Sequence, residues 1–306
     1  MRFFIIGANG LVGQHLCHFL VHRNHQVTAL VRHQRRGQDL PEGVEVVVGN
    51  ALASGQWQET ASNQDVVVNL VGKNIMGRWT KEIKNAIYAT RIDSTRQAVR
   101  AIELAAEPKP CLVNANAVGF YSATTEQIID ETAPAGEGFL AEVCKDWQNT
   151  ALEAEQVGAR VVVARFATVL AAQGGALHTM LPPFRLGLGG PIGSGRQGFP
   201  WIHIQDLVQG IAFAAQTPEL AGPVNMSAPH ICTNKEFSKT LGQVLRRPAV
   251  LPVPKHLLRL VFGEMADMLV QGPFVRPRRL EEAGFQFNYP ELKAALRELL
   301  ERSSRG

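Results

Sequence analysis

The stretch RFFIIGANGLVG, Arg2 to Gly13, constrains this chain more than any other. A short apolar run, FFII, is long enough for a buried strand and too short for a signal peptide. Three glycines follow at the spacing GxxGxxG, and GQHLCHFLVHR then has the pattern of a helix. Glycine there lets the backbone turn tightly and approach a pyrophosphate at a helix N-terminus, where unbonded N–H groups favour an anion. An ordinary strand-to-helix turn also uses glycine. The second strand, Val27 to Val31, supplies the context in which the triplet predicts nucleotide binding.

The alternation continues. VEVVVG, DVVVNLV, CLVNANAV and RVVVARF are short Val-rich runs separated by helical stretches. Continuous rather than alternating apolar strands imply a parallel sheet covered by helices on both faces. The expected fold is a Rossmann-type doubly wound α/β sheet with a smaller, mostly helical C-terminal lobe. The expected division is residues 1–170 plus about 201–226 for the sheet domain, and 171–200 plus 227–306 for the lobe. LPPFRLGLGGPIGSGRQGFPWIH is too rich in Gly and Pro for a helix and reads as a ligand-facing loop. After it come a helix from about Gln205 to Ala215, a short strand GPVNMSA, and the amphipathic segment HLLRLVFGEMADMLV.

Composition excludes several classes. The net charge of +4 is spread along the chain, with no aromatic platform between its Arg-Arg pairs, so no nucleic-acid partner is expected. Anionic small molecules fit that charge. No segment approaches the roughly 20 apolar residues of a membrane helix, so no membrane partner is expected. Cys17, Cys111, Cys144 and Cys232 are widely spaced and make neither a disulfide framework nor a zinc ribbon. A cytoplasmic location and a monomer or homodimer are expected. His15, His18 and His22 share one face of the first helix, but no carboxylate or thiol completes a metal set there, and a solvated face is the reading.

The end of the second strand bears on cofactor choice. NAD sites place an acidic residue about 20 residues past the glycines. This chain has Arg32, followed by His33 and Arg35. A guanidinium suits a 2'-phosphate by charge and by its planar donor fork, so NADP(H) is expected over NAD. A merely solvated strand-end arginine is the alternative.

With GANGLVG, NLVG (Asn69 to Gly72) and PWIHIQDL (Pro200 to Leu207), the chain resembles the extended short-chain dehydrogenase/reductases. RWTKEIK, AVGFYS, FLAEVCKDWQ, MLPPFRLGLGGPIGSGRQ, GPVN and LPVP narrow this to its atypical, epimerase-like branch. The resemblance implies NADPH contacts at Gly7, Asn9, Gly10, Leu11, Val12, Gly13 and Arg32. It places Asn69, Leu70 and Gly72 beside the adenine side and ribose, and Arg91 and Arg165 at the cofactor or the active-site floor. His203 and Asp206 fall in a site-shaping turn, where the histidine is not expected to act as a general base.

The superfamily's proton relay is a tyrosine, a lysine four residues later and a serine. Lys145 fits the lysine, but Ala141 stands at the tyrosine position and Asn116 at the serine position. Asn116 can still polarise a carbonyl through its amide, though it cannot exchange a proton at neutral pH. Tyr121 is the nearest phenol in sequence, expected either to serve as the acid, its pKa lowered by Lys145, or to pack as an ordinary aromatic. Lys145 either assists catalysis or binds the nicotinamide ribose. Arg185 and Arg196 flank the glycines from Gly187 to Gly195 and are the candidates for an anionic small-molecule substrate, with a structural loop as the alternative. The expected function is an NADP(H)-dependent oxidoreductase or epimerase acting on a nucleotide sugar or another anionic metabolite. The alternatives are a non-catalytic NADPH-binding regulator, for example of cell division, and a partner protein whose interface is the amphipathic tail from His256 to Val270.

Overall fold

The computed structural model describes residues 1–121 and 127–302; Ser122, the end of the AVGFYS string, and residues 303–306 of the expected lobe lie outside them. In chain order, β1 (Arg2–Ile6), α1 (Leu11–His22), β2 (Gln26–Val31) and a 3-10 turn (Gln34–Asp39) come first. There follow β3 (Val44–Val48), α2 (Trp57–Ser62), β4 (Val66–Asn69), α3 (Lys81–Glu103) and β5 (Cys111–Ala117). The middle holds β6 (Ile128–Ile129), α4 (Phe139–Leu152), β7 (Val161–Phe166), β8 (Thr168–Leu170) and α5 (Gly175–Arg185). β9 (Trp201–His203), α6 (Ile204–Gln216) and β10 (Gly222–Met226) precede α7 (Asn234–Leu245), α8 (Lys255–Phe262) and α9 (Met265–Val270). β11 (Phe274–Val275), α10 (Arg278–Glu282) and α11 (Leu292–Arg302) complete the described chain.

Seven of these strands form one parallel sheet in the order β3-β2-β1-β4-β5-β7-β10. The doubly wound α/β architecture read from the alternation is therefore the fold. Side-chain direction along β1 shows why both faces are buried. Phe3 and Ile5 join a core with Leu16 and Leu20 of α1 and Leu207 and Ile211 of α6, whereas Phe4 and Ile6 pack with Trp57 of α2 and Val99 and Ile102 of α3. The strand order reverses between β1 and β4, which opens a crevice at their C-terminal ends.

The later segments weave across that end of the sheet. β11 pairs with β6, and β8 pairs with β9. One expectation is corrected here: LPPFR is not loop but the last turn of α5, with Pro182 and Pro183 inside the helix. Both prolines are exposed, so the carbonyls whose donors they remove lie on the solvent side, while Leu177, Leu181 and Phe184 make a buried stripe that holds the helix down.

Candidate functional site

The crevice is built by the two strand ends that face each other across it. Gly7, at φ +92°, lies so close to β4 that a Cβ would sit 3.1 Å from the Leu70 carbonyl carbon, and the Leu70 N–H donates to the Ile6 carbonyl at 2.8 Å. A Cβ on Gly13 would stand 2.3 Å from the Gly7 carbonyl oxygen and 2.7 Å from the Ala8 Cα, so no other residue fits. Gly10 closes the turn by donating to the Gly7 carbonyl at 3.1 Å, and it is the N-cap of α1 without any side-chain cap. The first-turn N–H groups of Leu11, Val12 and Gly13 thus have no protein acceptor of that kind, and no acidic residue occupies the first turn. Asn9 turns away: its amide donates to the Arg36 carbonyl at 2.7 Å, pinning the glycine turn to the 3-10 turn after β2.

Arg32 stands exposed at the end of β2, and His33 and Arg35 beside it are exposed as well. Among the described residues none of the three makes an ion pair, and no carboxylate occurs from Gln26 to Gln38. This corner can receive a phosphate without displacing an existing partner.

At the end of β4 the Asn69 side chain is engaged inward. Its amide nitrogen donates to Asn114 Oδ1 at 2.9 Å and to Thr95 Oγ1 at 3.0 Å, and its oxygen accepts from the Val71 N–H at 3.2 Å. Trp147 on α4 donates to the same Thr95 hydroxyl at 2.8 Å. These bonds occupy the Asn69 side chain, so the position expected of Asn69 beside the adenine side and ribose falls to its backbone. Gly72 lies on Arg91, whose guanidinium a Cβ would meet at 3.2 Å. Arg91 donates to the Lys73 and Ile87 carbonyls and sits 5.1 Å over the Trp147 ring. Burial holds its pKa below the ordinary guanidinium value.

Asn116 ends β5 with 2% of its surface exposed, donating one amide N–H to the Cys144 carbonyl at 2.9 Å while its oxygen accepts the Ala117 N–H at 2.8 Å. One amide proton remains for a ligand. Ala141, where a catalytic tyrosine would stand, is buried. Lys145, one turn further along α4, is exposed and forms no ion pair among the described residues. The structure does not bring Tyr121 to it. The Tyr121 hydroxyl accepts from Arg165 Nη1 at 2.6 Å and donates to Asn225 Oδ1 at 2.7 Å. Burial pushes its pKa up to about 12, against the opposing pull of Arg165. The fall expected from Lys145 is corrected, because a desolvated phenolate is disfavoured more than one neighbouring cation can repay.

Arg165 is likewise a packing residue. It is 2% exposed, stacks 3.6 Å from the Phe120 ring centroid and donates to Gln148 Oε1 at 2.7 Å. β7 lies three strands from the glycine turn, so Arg165 braces the far side of the crevice. Asn225 in turn donates its backbone N–H to Glu131 Oε1 at 2.9 Å and its amide to the Arg276 carbonyl at 3.1 Å. Sequence reasoning assigned no role to Glu131, Gln148, Asn225 and Trp147. Asn225 carried a signal as the end of the GPVN string, and Trp147 and Gln148 as the end of FLAEVCKDWQ; Glu131 carried none.

Arg185 and Arg196 are both exposed, at the end of α5 and in the loop after it. The glycines between and beyond them serve close packing. A Cβ on Gly189 would strike the Phe184 ring, one on Gly190 the Leu251 carbonyl, and one on Gly198 the Pro273 carbonyl. That supports the structural-loop alternative. His203 caps α6 by accepting the Gln205 N–H at 3.1 Å, pairs with Glu298 at 3.0 Å and stacks on Tyr289 at 3.9 Å, fully buried. Asp206 accepts the N–H groups of Asn288 and Tyr289 at 2.8 and 2.9 Å. His15 and His22 bond to the carbonyls of Leu11 and His18, one turn back on their own helix. All four cysteines are buried thiols whose pKa values burial raises.

Residues 3–226, from β1 through β10, match the NAD dependent epimerase/dehydratase family. The chain belongs to that family. Residues 253–299 match a domain of unknown function, DUF1731. It is 38% identical to the Arabidopsis thaliana "Epimerase family protein SDR39U1 homolog, chloroplastic", covering 98% of this chain and 87% of that one. Against Bacillus subtilis "Epimerase family protein YfhF" the identity is 36%, over 98% of each chain. A crystal structure of human epimerase family protein SDR39U1 (isoform2) with NADPH superposes with a TM-score of 0.85 at 35% identity, covering 98% of this chain and 99% of that one. Among the described residues no helix is long and apolar enough to cross a membrane.

Proposed function

We propose that this epimerase-family protein binds NADPH in the crevice between β1 and β4 and uses it for hydride transfer on a small anionic substrate. The observation that carries the reading is Arg32, exposed, without an acid partner, and closing the strand next to the glycine turn. The residues present fit the cofactor: Gly13 lets α1 start directly against the glycine turn, and the uncapped N-terminus of α1 suits a pyrophosphate. The human relative solved with NADPH supports the same choice. A bound nicotinamide supplies or accepts the hydride. The remaining N–H of Asn116 polarises the substrate oxygen, and Lys145, solvent-facing on α4, orients the ribose and relays a proton to water. Tyr121 has no part in that relay, since both its lone-pair and its proton are engaged within the fold. Arg185 and Arg196 are the proposed contacts for the substrate's anionic group, and a nucleotide sugar is the first class to try.

Titration with NADPH and NADH, followed by nicotinamide fluorescence, tests the cofactor. Arg32→Ala should weaken NADPH at least about tenfold, as loss of a charge-assisted hydrogen bond does, and leave NADH nearly unchanged. An equal effect on both, or none, rejects the assignment. The second reading, an NADPH-binding regulator without chemistry, is favoured by the state of the relay: the Tyr121 hydroxyl is engaged within the fold and alanine stands at position 141, so neither supplies its phenol. Deuteride transfer from labelled NADPH to carbonyl and nucleotide-sugar substrates separates the two. Transfer that drops about a hundredfold in Asn116→Ala supports chemistry, and absence of transfer across the panel supports the regulator.

A further inference from the structure

The amphipathic segment predicted from HLLRLVF faces the wrong way for a helix that serves the core. In α8, Leu257, Leu260 and Val261 form an i, i+3, i+4 stripe that is 48, 75 and 56% exposed, whereas Leu258 alone is buried. The chain that leads into α8 is exposed and apolar too. Residues 187–193 run beside 248–253, with the Val253 N–H donating to the Pro191 carbonyl at 2.8 Å and the Gly193 N–H to the Val253 carbonyl at 2.9 Å. That pairing sets Leu186 and Leu188, 74 and 58% exposed, next to Val250 and Leu251, 74 and 48% exposed. Of thirteen large hydrophobic side chains exposed among the described residues, seven therefore belong to α8 and these two segments, far more than scattered surface residues would give.

The charged residues of these segments have a single sign. From Arg246 to Gly263 the chain carries Arg246, Arg247, Lys255, His256 and Arg259 and not one carboxylate, and Pro182 to Pro200 has none either. Arg246, Arg247 and His256 are exposed, and among the described residues they form no ion pair. Lys255 and Arg259 both hold Asp267 of α9, at 3.0 and 2.9 Å, which fixes the orientation of α8. A second copy docked two-fold on this face would bring like charges together, so the patch does not complement itself. Outward leucines flanked by cations are instead the pattern of a helix lying in the headgroup region of an anionic bilayer.

We infer that the face formed by α8 and the segments 186–188 and 246–251 docks on an anionic lipid surface. That no helix among the described residues could span a membrane is compatible with this, because the proposed contact is peripheral; the proposal departs from the expectation of no membrane partner. α9, which packs on α8, accepts the Gly77 N–H on its Met265 sulfur at 3.2 Å, on the segment that leaves β4. The inference does not depend on the cofactor reading.

Cosedimentation of the full chain with vesicles tests it, comparing phosphatidylcholine alone with phosphatidylcholine containing roughly one-third phosphatidylglycerol. Binding is expected to the anionic vesicles only and to weaken as salt is raised. Leu260→Glu with Val261→Glu should lower partitioning at least about tenfold, and Arg246→Ala with Arg247→Ala about fivefold per charge. Circular dichroism melting and NADPH titration, unchanged in these variants, show that the fold is intact. The inference is overturned if the protein ignores anionic vesicles, if the double glutamate variant binds them as well as wild type, or if sedimentation equilibrium shows self-association through this face in place of lipid binding. Failure to bind NADPH would sink the proposed function and leave this result standing.

Discussion

Gly13 shows how hard a single residue can be constrained by backbone alone. Its missing Cβ is what lets α1 start against the Gly7 carbonyl, and since the obstructing atoms are main chain, no side-chain rearrangement can make room. Gly13→Ala should therefore cost about 3 kcal/mol of stability and abolish NADPH binding, read by thermal melting and by fluorescence titration. Glu131 is the opposite kind of residue, invisible as a motif and decisive in place. It is 8% exposed, and Oε1 accepts the Asn225 and Arg279 N–H groups while Oε2 is buried without a partner. Burial holds its folded-state pKa above the usual 4.5. The folded protein thus favours the protonated acid, and this contribution is complete below 4.5 and lost as pH rises through the raised value. Glu131→Gln, which keeps the acceptor without the charge, should melt higher than wild type at neutral pH. The gain should vanish as pH falls toward 4.5, as pH-resolved melting would show.

Among the elements, α6 ties the C-terminal residues to the sheet. His203 caps its start and reaches Glu298 of α11, while Asp206, in its first turn, accepts two backbone N–H groups from residues 288 and 289. Asp206→Ala leaves both donors buried, or forces their segment to open to water. We expect a loss of about 2–4 kcal/mol and faster amide exchange confined to residues 288–302, measured by hydrogen exchange. The PWIHIQDL string was legible as a turn, yet its partners were not, because they lie 82–95 residues away in sequence. α5 and α8 make the same point. Two prolines suggested a loop where a buried Leu177-Leu181-Phe184 stripe holds a helix, and apolar spacing in α8 gave its amphipathic character but not the direction in which its stripe faces.

For the whole molecule, the sheet, its two helical layers and the crevice at the strand reversal form the frame into which the cofactor would fit. Ligand that binds only the folded chain stabilises it by mass action, so NADPH at about a hundred times its Kd should add about 2.7 kcal/mol and raise the melting temperature by about 5 °C. NADH at the same concentration should shift it less, by differential scanning fluorimetry. The sequence alone determined the parallel sheet, the glycine turn and the cation closing β2, because strand periodicity, steric room for a Cβ and the sign of a charge are properties of consecutive residues. Only the tertiary structure decided which polar groups remain available. Tyr121 stands in the chain close to a candidate active-site strand, but Arg165 and Asn225, 44 and 104 residues away, take its hydroxyl when the sheet assembles. Hydrogen bonds and desolvation depend on what lies within a few ångströms, and over such separations proximity is created by folding.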